Sequence, residues 1–332
     1  MGAHGRLMAG PADISAGRAW PMNYLWTHGP RADPATALTW AMIVLSTAVV
    51  VIVTLLVVAG VAVRLSRRLT TAEAPVKEEG DGLAWISIGL VLTVIALAGT
   101  LVWTLEALAA IDSPARPPAL TLEIVGHEWW WEVRYLGAGP GQSFSTANEI
   151  HIPVGVPVRV WLKGADVIHS FWIPALTGKT ETIPGRTNLT WLQADRPGVY
   201  RGQCTEYCGA QHAHMAAFVI ADPPAAFAAW LRGQEATPAV DPGVAAGQAV
   251  FQASCAKCHA VRGTSAHGDK GPDLTHLMSR RTLAAGVVPN DVDGLSGWIA
   301  NPQALKPGAL MPATYLSGPQ LVRLRAYLES LK

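Results

Sequence analysis

Charge is scarce in this 332-residue chain: only 15% of residues are Asp, Glu, Lys or Arg, while 50% are hydrophobic. That balance excludes a disordered or solvating chain, which needs low hydrophobicity and high net charge. No sign of charge dominates either. Lys and Arg number 25 against 24 Asp and Glu, so no basic excess points to nucleic acid and no acidic block forms a tail. Cysteine is equally sparse, four in all, and each lies within a short pair, Cys204/Cys208 and Cys255/Cys258. None is left for a disulfide framework.

What the chain does have is long apolar runs. No charged residue occurs from Pro34 to Val63 or from Gly82 to Leu105, and each run exceeds the ~20 residues a bilayer-spanning helix needs. Buried core helices are rarely so long and so free of charge. Arg64, Arg67, Arg68 and Lys77 crowd between the runs and mark that loop as cytoplasmic, leaving both ends outside. Arg6, Arg18 and Arg31 are too thinly spread to reverse this. Residues 1–31 lack a compact apolar signal core, so the first span serves as the export signal. The expected division is an external segment 1–37, spans 38–63 and 83–105 around a cytoplasmic loop 64–82, and a linker 106–118. A domain 119–221, a helix with linker 222–243, and a C-terminal domain 244–332 follow.

Beyond Ser113-Pro114 and Pro117-Pro118 the period shifts toward two. Leu120–Ile124, Glu149–Ile152, Pro157–Leu162, Thr187–Leu192 and Ala216–Ile220 alternate or run apolar between Gly and Pro breaks, the pattern of a Greek-key sandwich or barrel. This domain contains Cys204-Thr-Glu-Tyr-Cys208-Gly-Ala-Gln-His212-Ala-His214-Met215. Thiolate, imidazole and thioether make a soft ligand set that suits copper, whereas structural zinc has no use for the Met. Two thiolates can bridge two ions. An upstream histidine should complete the set, and His169 at the end of an apolar strand is the candidate; alone it would more often be a satisfied core residue. His214 rivals His212, and His151 is a weaker alternative.

The C-terminal segment carries Cys255-Ala-Lys-Cys258-His259, the C-x-x-C-H signature of covalent haem c. A thioredoxin-like pair would need no His and would sit in a βαβ pattern that is absent. Val244–Ala253 and Gln320–Leu331 read as flanking helices, and Asp222–Ala236 as a helix with Phe227, Trp230 and Leu231 on one side. A Met sixth ligand would raise the haem potential. Met311 lies on a Pro/Gly-rich loop far enough from His259 for the chain to wrap the macrocycle; Met278 follows too closely and reads as core.

The loop Cys204-x3-Cys208-x3-His212-x2-Met215, Asp166-Val-Ile-His169-Ser, Gly126-His-Glu-Trp129-Trp-Trp131 and Ile183-Pro-Gly-Arg186, after two apolar helices, closely resemble cytochrome c oxidase subunit II over residues 22–221. The last segment resembles a class I cytochrome c, and the fusion resembles the caa-type oxidases. The resemblance implies a multidomain membrane protein: a two-helix transmembrane hairpin, an all-β cupredoxin-like Greek-key barrel and a small all-α cytochrome c domain. It implies a dinuclear copper A centre bridged by Cys204 and Cys208, one ion taking His169 and Met215, the other His212 and the Glu206 carbonyl. The Glu206 side chain would also reach a magnesium ion at the boundary with the catalytic subunit. It further implies Trp129 as an electron-entry residue, although Glu128 and Trp130 stand where the family usually has Gln and Tyr.

The haem would be held through Cys255 and Cys258, with His259 and Met311 as axial ligands. The implied role is electron input to a proton-translocating cytochrome c oxidase of the bacterial inner membrane. The haem and copper domains lie on the outer side, and the partners are oxidase subunits I and III, membrane lipid and an external donor such as a cytochrome c or an upstream respiratory complex. Many members carry a Glu at the start of the second helix near a proton channel. Here Gly82 holds that place, and Asp81 or Glu79 is the expected substitute. A nitric oxide reductase can use a similar copper subunit, so oxygen and nitric oxide compete as final acceptor. A membrane-tethered copper chaperone or sensor would leave the haem motif without a role.

Overall fold

The computed structural model describes residues 22–70, 82–137, 143–238 and 241–332. Asp81, Glu79 and Lys77 lie outside the described residues. The chain divides into two compact units, Asp33–Ser113 and the remainder.

The first unit is a helix pair. Helix α1 spans Asp33–Thr70 and α2 spans Gly82–Asp112, and the two touch each other. Both extend past their charge-free runs, because good helix formers follow, Arg and Leu in α1 and Ala and Leu in α2, until Ser113-Pro114 halts α2. Their most apolar windows have mean hydropathies of 3.0 and 2.3, and none of either window is buried within the chain. Such a surface is stable in lipid and unfavourable in water.

The second unit begins with ten strands, β1(Leu120–His127), β2(Trp130–Tyr135), β3(Phe144–Ala147), β4(Glu149–Pro153), β5(Val158–Gly164), β6(His169–Phe171), β7(Thr180–Thr182), β8(Asn188–Leu192), β9(Gly198–Gln203) and β10(Ala216–Asp222). One sheet has the order β3-β2-β1-β5-β8, a second β4-β10-β9, and β6-β7 form a short ribbon. Strand β1 pairs antiparallel with β2 and parallel with β5. The apolar faces of both sheets fill one core, with Leu122, Ile124, Trp131, Val133, Tyr135, Ile150, Ile152 and Val219 buried. Glu123, on the opposite face of β1 from Leu122 and Ile124, is only 6% exposed, and its carboxylate is satisfied by Arg134 at 2.8 Å and by Lys163 on the neighbouring strand.

Helix α3(Pro224–Glu235) packs back on the sandwich, and its Trp230 ring stacks on His151 with centroids 4.2 Å apart. The C-terminal part then folds as α4(Ala245–Ser254), a two-residue strand pair β11(Thr282–Leu283) and β12(Val288–Pro289), α5(Val292–Ala300), α6(Pro302–Leu305) and α7(Gly318–Glu329). Its separate core gathers Phe251, Leu277, Leu295, Ile299, Leu324 and Tyr327. Helices α4 and α7 cross so closely at Gly247 that a Cβ there would lie 2.0 Å from the Arg323 carbonyl. Asp291 starts α5 by accepting the Gly294 amide at 2.7 Å.

Candidate functional site

Two chemistry-bearing regions lie side by side in the second unit. The first is the loop between β9 and β10, where the sulfurs of Cys204 and Cys208 face each other at 3.7 Å. That separation exceeds the ~2.05 Å of a disulfide. It matches two ~2.3 Å metal–thiolate bonds to a shared ion. Around this pair stand His212 Nδ1 at 3.6 Å from the Cys208 sulfur, Met215 Sδ at 4.0 Å from it, and the Glu206 carbonyl at 3.3 Å from the Cys204 sulfur. His169 Nδ1, at the start of β6, lies 4.0 Å from the Cys204 sulfur. His169, Cys204, Cys208 and Met215 are all buried.

The chain builds this cluster through specific local choices. Gly126 clears the space for His169, since a Cβ there would fall 2.8 Å from the imidazole Cδ2. Asp166 Oδ1 bonds His169 Nε2 at 2.8 Å, which turns Nδ1 toward the sulfurs. No motif marks Asp166 as a partner of His169; its spacing of three from that residue is the signal that identifies it. His214 and His151 are not brought to the cluster. His214 Nδ1 bonds Gln211 at 2.6 Å, and His151 Nδ1 bonds Asp222 at 2.6 Å.

Electrostatics follow from crowding. The Cys208 thiol bonded to Cys204 holds the latter down at about 4, and the same contact pushes Cys208 upward. Burial works against a charged His169, but the bond to Asp166 and the Cys204 sulfur prevail and raise it to about 9. Asp166 is lowered: burial opposes this, and the His169 bond with two backbone amides outweighs it. Cys204 thus offers a ready thiolate, whereas Cys208 and His169 give up their protons only when a cation takes their place. Sulfur, imidazole, thioether and carbonyl donors together fit copper.

The second region is a cavity of about 300 Å³ lined by Cys255, Cys258, His259 and Met311. His259 Nδ1 donates to the Pro272 carbonyl at 2.7 Å, and burial lowers its pKa. A neutral ring with Nδ1 committed leaves Nε2 as the ligand atom. Gly271 lets the chain pass against that ring, for a Cβ there would lie 2.6 Å from its Cε1. Burial raises the Cys255 thiol to about 11. Met278 packs with the cytochrome core and is absent from the cavity lining. Two thiols, a free imidazole nitrogen and a facing thioether are the donors a covalent haem c requires.

Trp129 belongs to both regions. Its indole walls the cavity, and its Nε1 donates to the Cys208 carbonyl at 2.8 Å. Gly209, at φ +110°, lies beneath the ring, where a Cβ would come within 3.0 Å. Glu128 and Trp130 line the same wall. Lys306, which no motif singles out, is 2% exposed, and its ammonium donates to the carbonyls of Trp129, His214 and Ala284.

Comparison with known proteins agrees with this division. A family model described as cytochrome c oxidase subunit II, periplasmic domain, matches residues 134–221, and one for cytochrome c matches 244–332. The chain is similar to cytochrome c oxidase subunit 2 of Alkalihalophilus pseudofirmus, 38% identical over 255 residues, covering 75% of this chain and 72% of that protein. It is also similar to the subunit 2 of Bacillus sp. strain PS3, 32% identical over 267 residues, with 75% and 74% covered. Among solved structures, the periplasmic domain of subunit II of cytochrome oxidase of Bradyrhizobium japonicum is 32% identical, with a TM-score of 0.34, covering 37% of this chain and 97% of that one.

Proposed function

We propose how electrons are received and passed on by this chain, which belongs to the cytochrome c oxidase subunit II family and carries a cytochrome c domain at its C-terminus. It is the electron-input subunit of a haem–copper oxidase. Haem c and copper A, when bound, would supply one-electron chemistry between an external donor and the catalytic subunit that reduces oxygen to water.

The protein's own residues set the conditions for that chemistry. Cys204, Cys208, His169, His212, Met215 and the Glu206 carbonyl would together hold a pair of copper ions. Asp166 fixes the His169 ring, and burial of the sulfurs keeps water from the site. Donors already in place around the pair leave little to reorganise when charge changes. In the haem domain, Cys255 and Cys258 would form the thioether links, and His259 and Met311 would ligate the iron. Trp129 lies between the cavity and the Cys208 backbone and is the residue through which the two centres would communicate. The Glu206 side chain would contribute to a magnesium site where this chain meets subunit I.

The helices α1 and α2 anchor the chain in a membrane. The arginines after α1 support an assignment of the inner membrane with the metal domains outside, alongside subunits I and III. The observation that carries the reading is the convergence of two thiols, two imidazoles, a thioether and a carbonyl in the 204–215 loop and His169. Metal analysis and electron paramagnetic resonance of the purified complex test it. Two coppers per chain with a mixed-valence signal, plus one covalent haem, are expected. Zinc at the thiolates or a single exchangeable copper would refute it.

A further inference from the structure

The seam between the copper and cytochrome domains has an arrangement that the electron-input role does not by itself require. Each domain inserts one charged side chain among backbone groups of the other. From the cytochrome side, Lys306 reaches the Trp129 carbonyl at 2.8 Å and the His214 carbonyl at 2.7 Å, and also holds Ala284 of its own domain at 2.9 Å. From the copper side, Glu149, 3% exposed, accepts the Arg281 amide at 2.9 Å, the Thr282 amide at 2.9 Å and the Thr282 hydroxyl at 3.1 Å. Gln211, inside the copper loop, donates to the Pro307 carbonyl at 2.7 Å, and the Ala216 amide to Ala285 at 3.2 Å.

Three carbonyl acceptors use three N–H bonds, the number an ammonium has and one more than a neutral amine offers. A charge sealed from water is tolerated only where its bonds are all made, so the seam has one register. Sliding it would strand Lys306 and Glu149 together. The chain from Lys306 onward leads directly to Met311: Pro307 is held by Gln211, a Cβ at Gly308 would lie 3.8 Å from the Trp129 ring, and Met311 lines the cavity. Trp129, the copper loop and the approach to Met311 therefore meet at one ammonium.

We infer that Lys306 is a positioning residue, docking the cytochrome domain so that the cavity of Cys255, His259 and Met311 keeps a fixed separation from the Cys204–Met215 loop. This rests on the electron-input reading for its purpose, but the docking stands on the seam alone. The two domains then work as one preformed relay, and encounter between them is not a step in turnover.

The test uses the intact oxidase complex with K306M, which keeps the length of the side chain and removes its donors. After light-pulse reduction of the haem, transfer to copper A is expected to be fast and independent of solvent viscosity in the wild type. In K306M, which strands all three carbonyls, it should slow by at least about tenfold, the factor that corresponds to a single stranded acceptor, and become viscosity-dependent. The copper A signal and the methionine–iron absorption band should be unchanged. An unaltered, viscosity-independent rate in K306M would overturn the inference. Hydrogen exchange on the wild type decides the matter even if the variant fails to assemble. The Ala216, Arg281 and Thr282 amides should be protected, and exchange at open-chain rates would sink the docked state. A wild type lacking the copper A signal would count against the cofactor reading, while the exchange pattern would still report on the seam.

Discussion

The Trp129 indole donates to the backbone carbonyl of Cys208 at 2.8 Å, so the ring that walls the haem cavity is bonded to the copper loop itself. W129F keeps an aromatic wall and deletes that donor. Leaving a buried carbonyl without its partner costs ~1–3 kcal/mol. The variant should retain copper and haem by optical spectroscopy, melt at lower temperature, and transfer electrons from haem to copper more slowly. Equal transfer rates in wild type and W129F would remove the indole N–H from the path.

His212 and His214 separate cleanly by their partners. His212 Nδ1 faces the Cys208 sulfur at 3.6 Å, whereas His214 Nδ1 is occupied by Gln211 at 2.6 Å. H212A should abolish the mixed-valence copper signal. H214A should preserve it, since only the backbone carbonyl of that residue contacts Lys306. Copper stoichiometry and electron paramagnetic resonance of the two variants provide the check, and the reverse pattern would reassign the ligand.

Much of this organisation is legible in the chain because its signals are local. The charge-free runs, the 204–215 loop and the C-x-x-C-H motif each lie within a few turns of sequence, and period-two patterning marks β1, β4, β5, β8 and β10. The other five strands of the sandwich lack that pattern: β2 opens on consecutive tryptophans, β3, β6 and β7 have only three or four residues, and β9 carries glycines and an arginine. They are strands because their neighbours supply ladder partners, a tertiary cause that short windows do not contain. The same holds for Lys306. A lysine in a Pro/Gly loop reads as solvated, and only the packing of two domains buries it.

Acid stability should depend on Glu132. Burial alone would raise its carboxyl, but bonds to His127 and Arg134 bring it from 4.5 down to about 2. A lowered carboxylate stabilises the fold fully above its unfolded value, and that contribution disappears as pH falls from about 4.5 toward 2. E132Q should therefore melt below the wild type at neutral pH, with the gap closing as pH drops through this window. The effect is modest, because the partner Arg134 is 44% exposed and screened by water. Thermal melts across the window read it directly, and a gap that does not narrow would show that the ion pair contributes nothing.

Met311 and Met278 give the sharpest contrast in the cytochrome domain. Met311 lines the cavity with His259, and its carbonyl is held by Gln303 Nε2 at 2.9 Å, which fixes the loop that presents it. Met278 instead packs against the core, and its amide donates to the Leu331 carbonyl at 2.9 Å. A thioether ligand raises the haem potential by favouring ferrous iron. M311L keeps the side-chain volume and loses the sulfur, so the methionine–iron absorption band should vanish and the haem potential should fall. Electron delivery to copper should persist or accelerate in a single pulse, because a lower potential increases the driving force away from the haem, while reduction by the external donor should slow. M278L should leave band and potential unchanged and alter the melting temperature only slightly, as volume-conserving core exchanges usually cost less than about 1.5 kcal/mol. Potentiometric titration of both variants decides between them, and a surviving band in M311L would move the distal ligand to another residue.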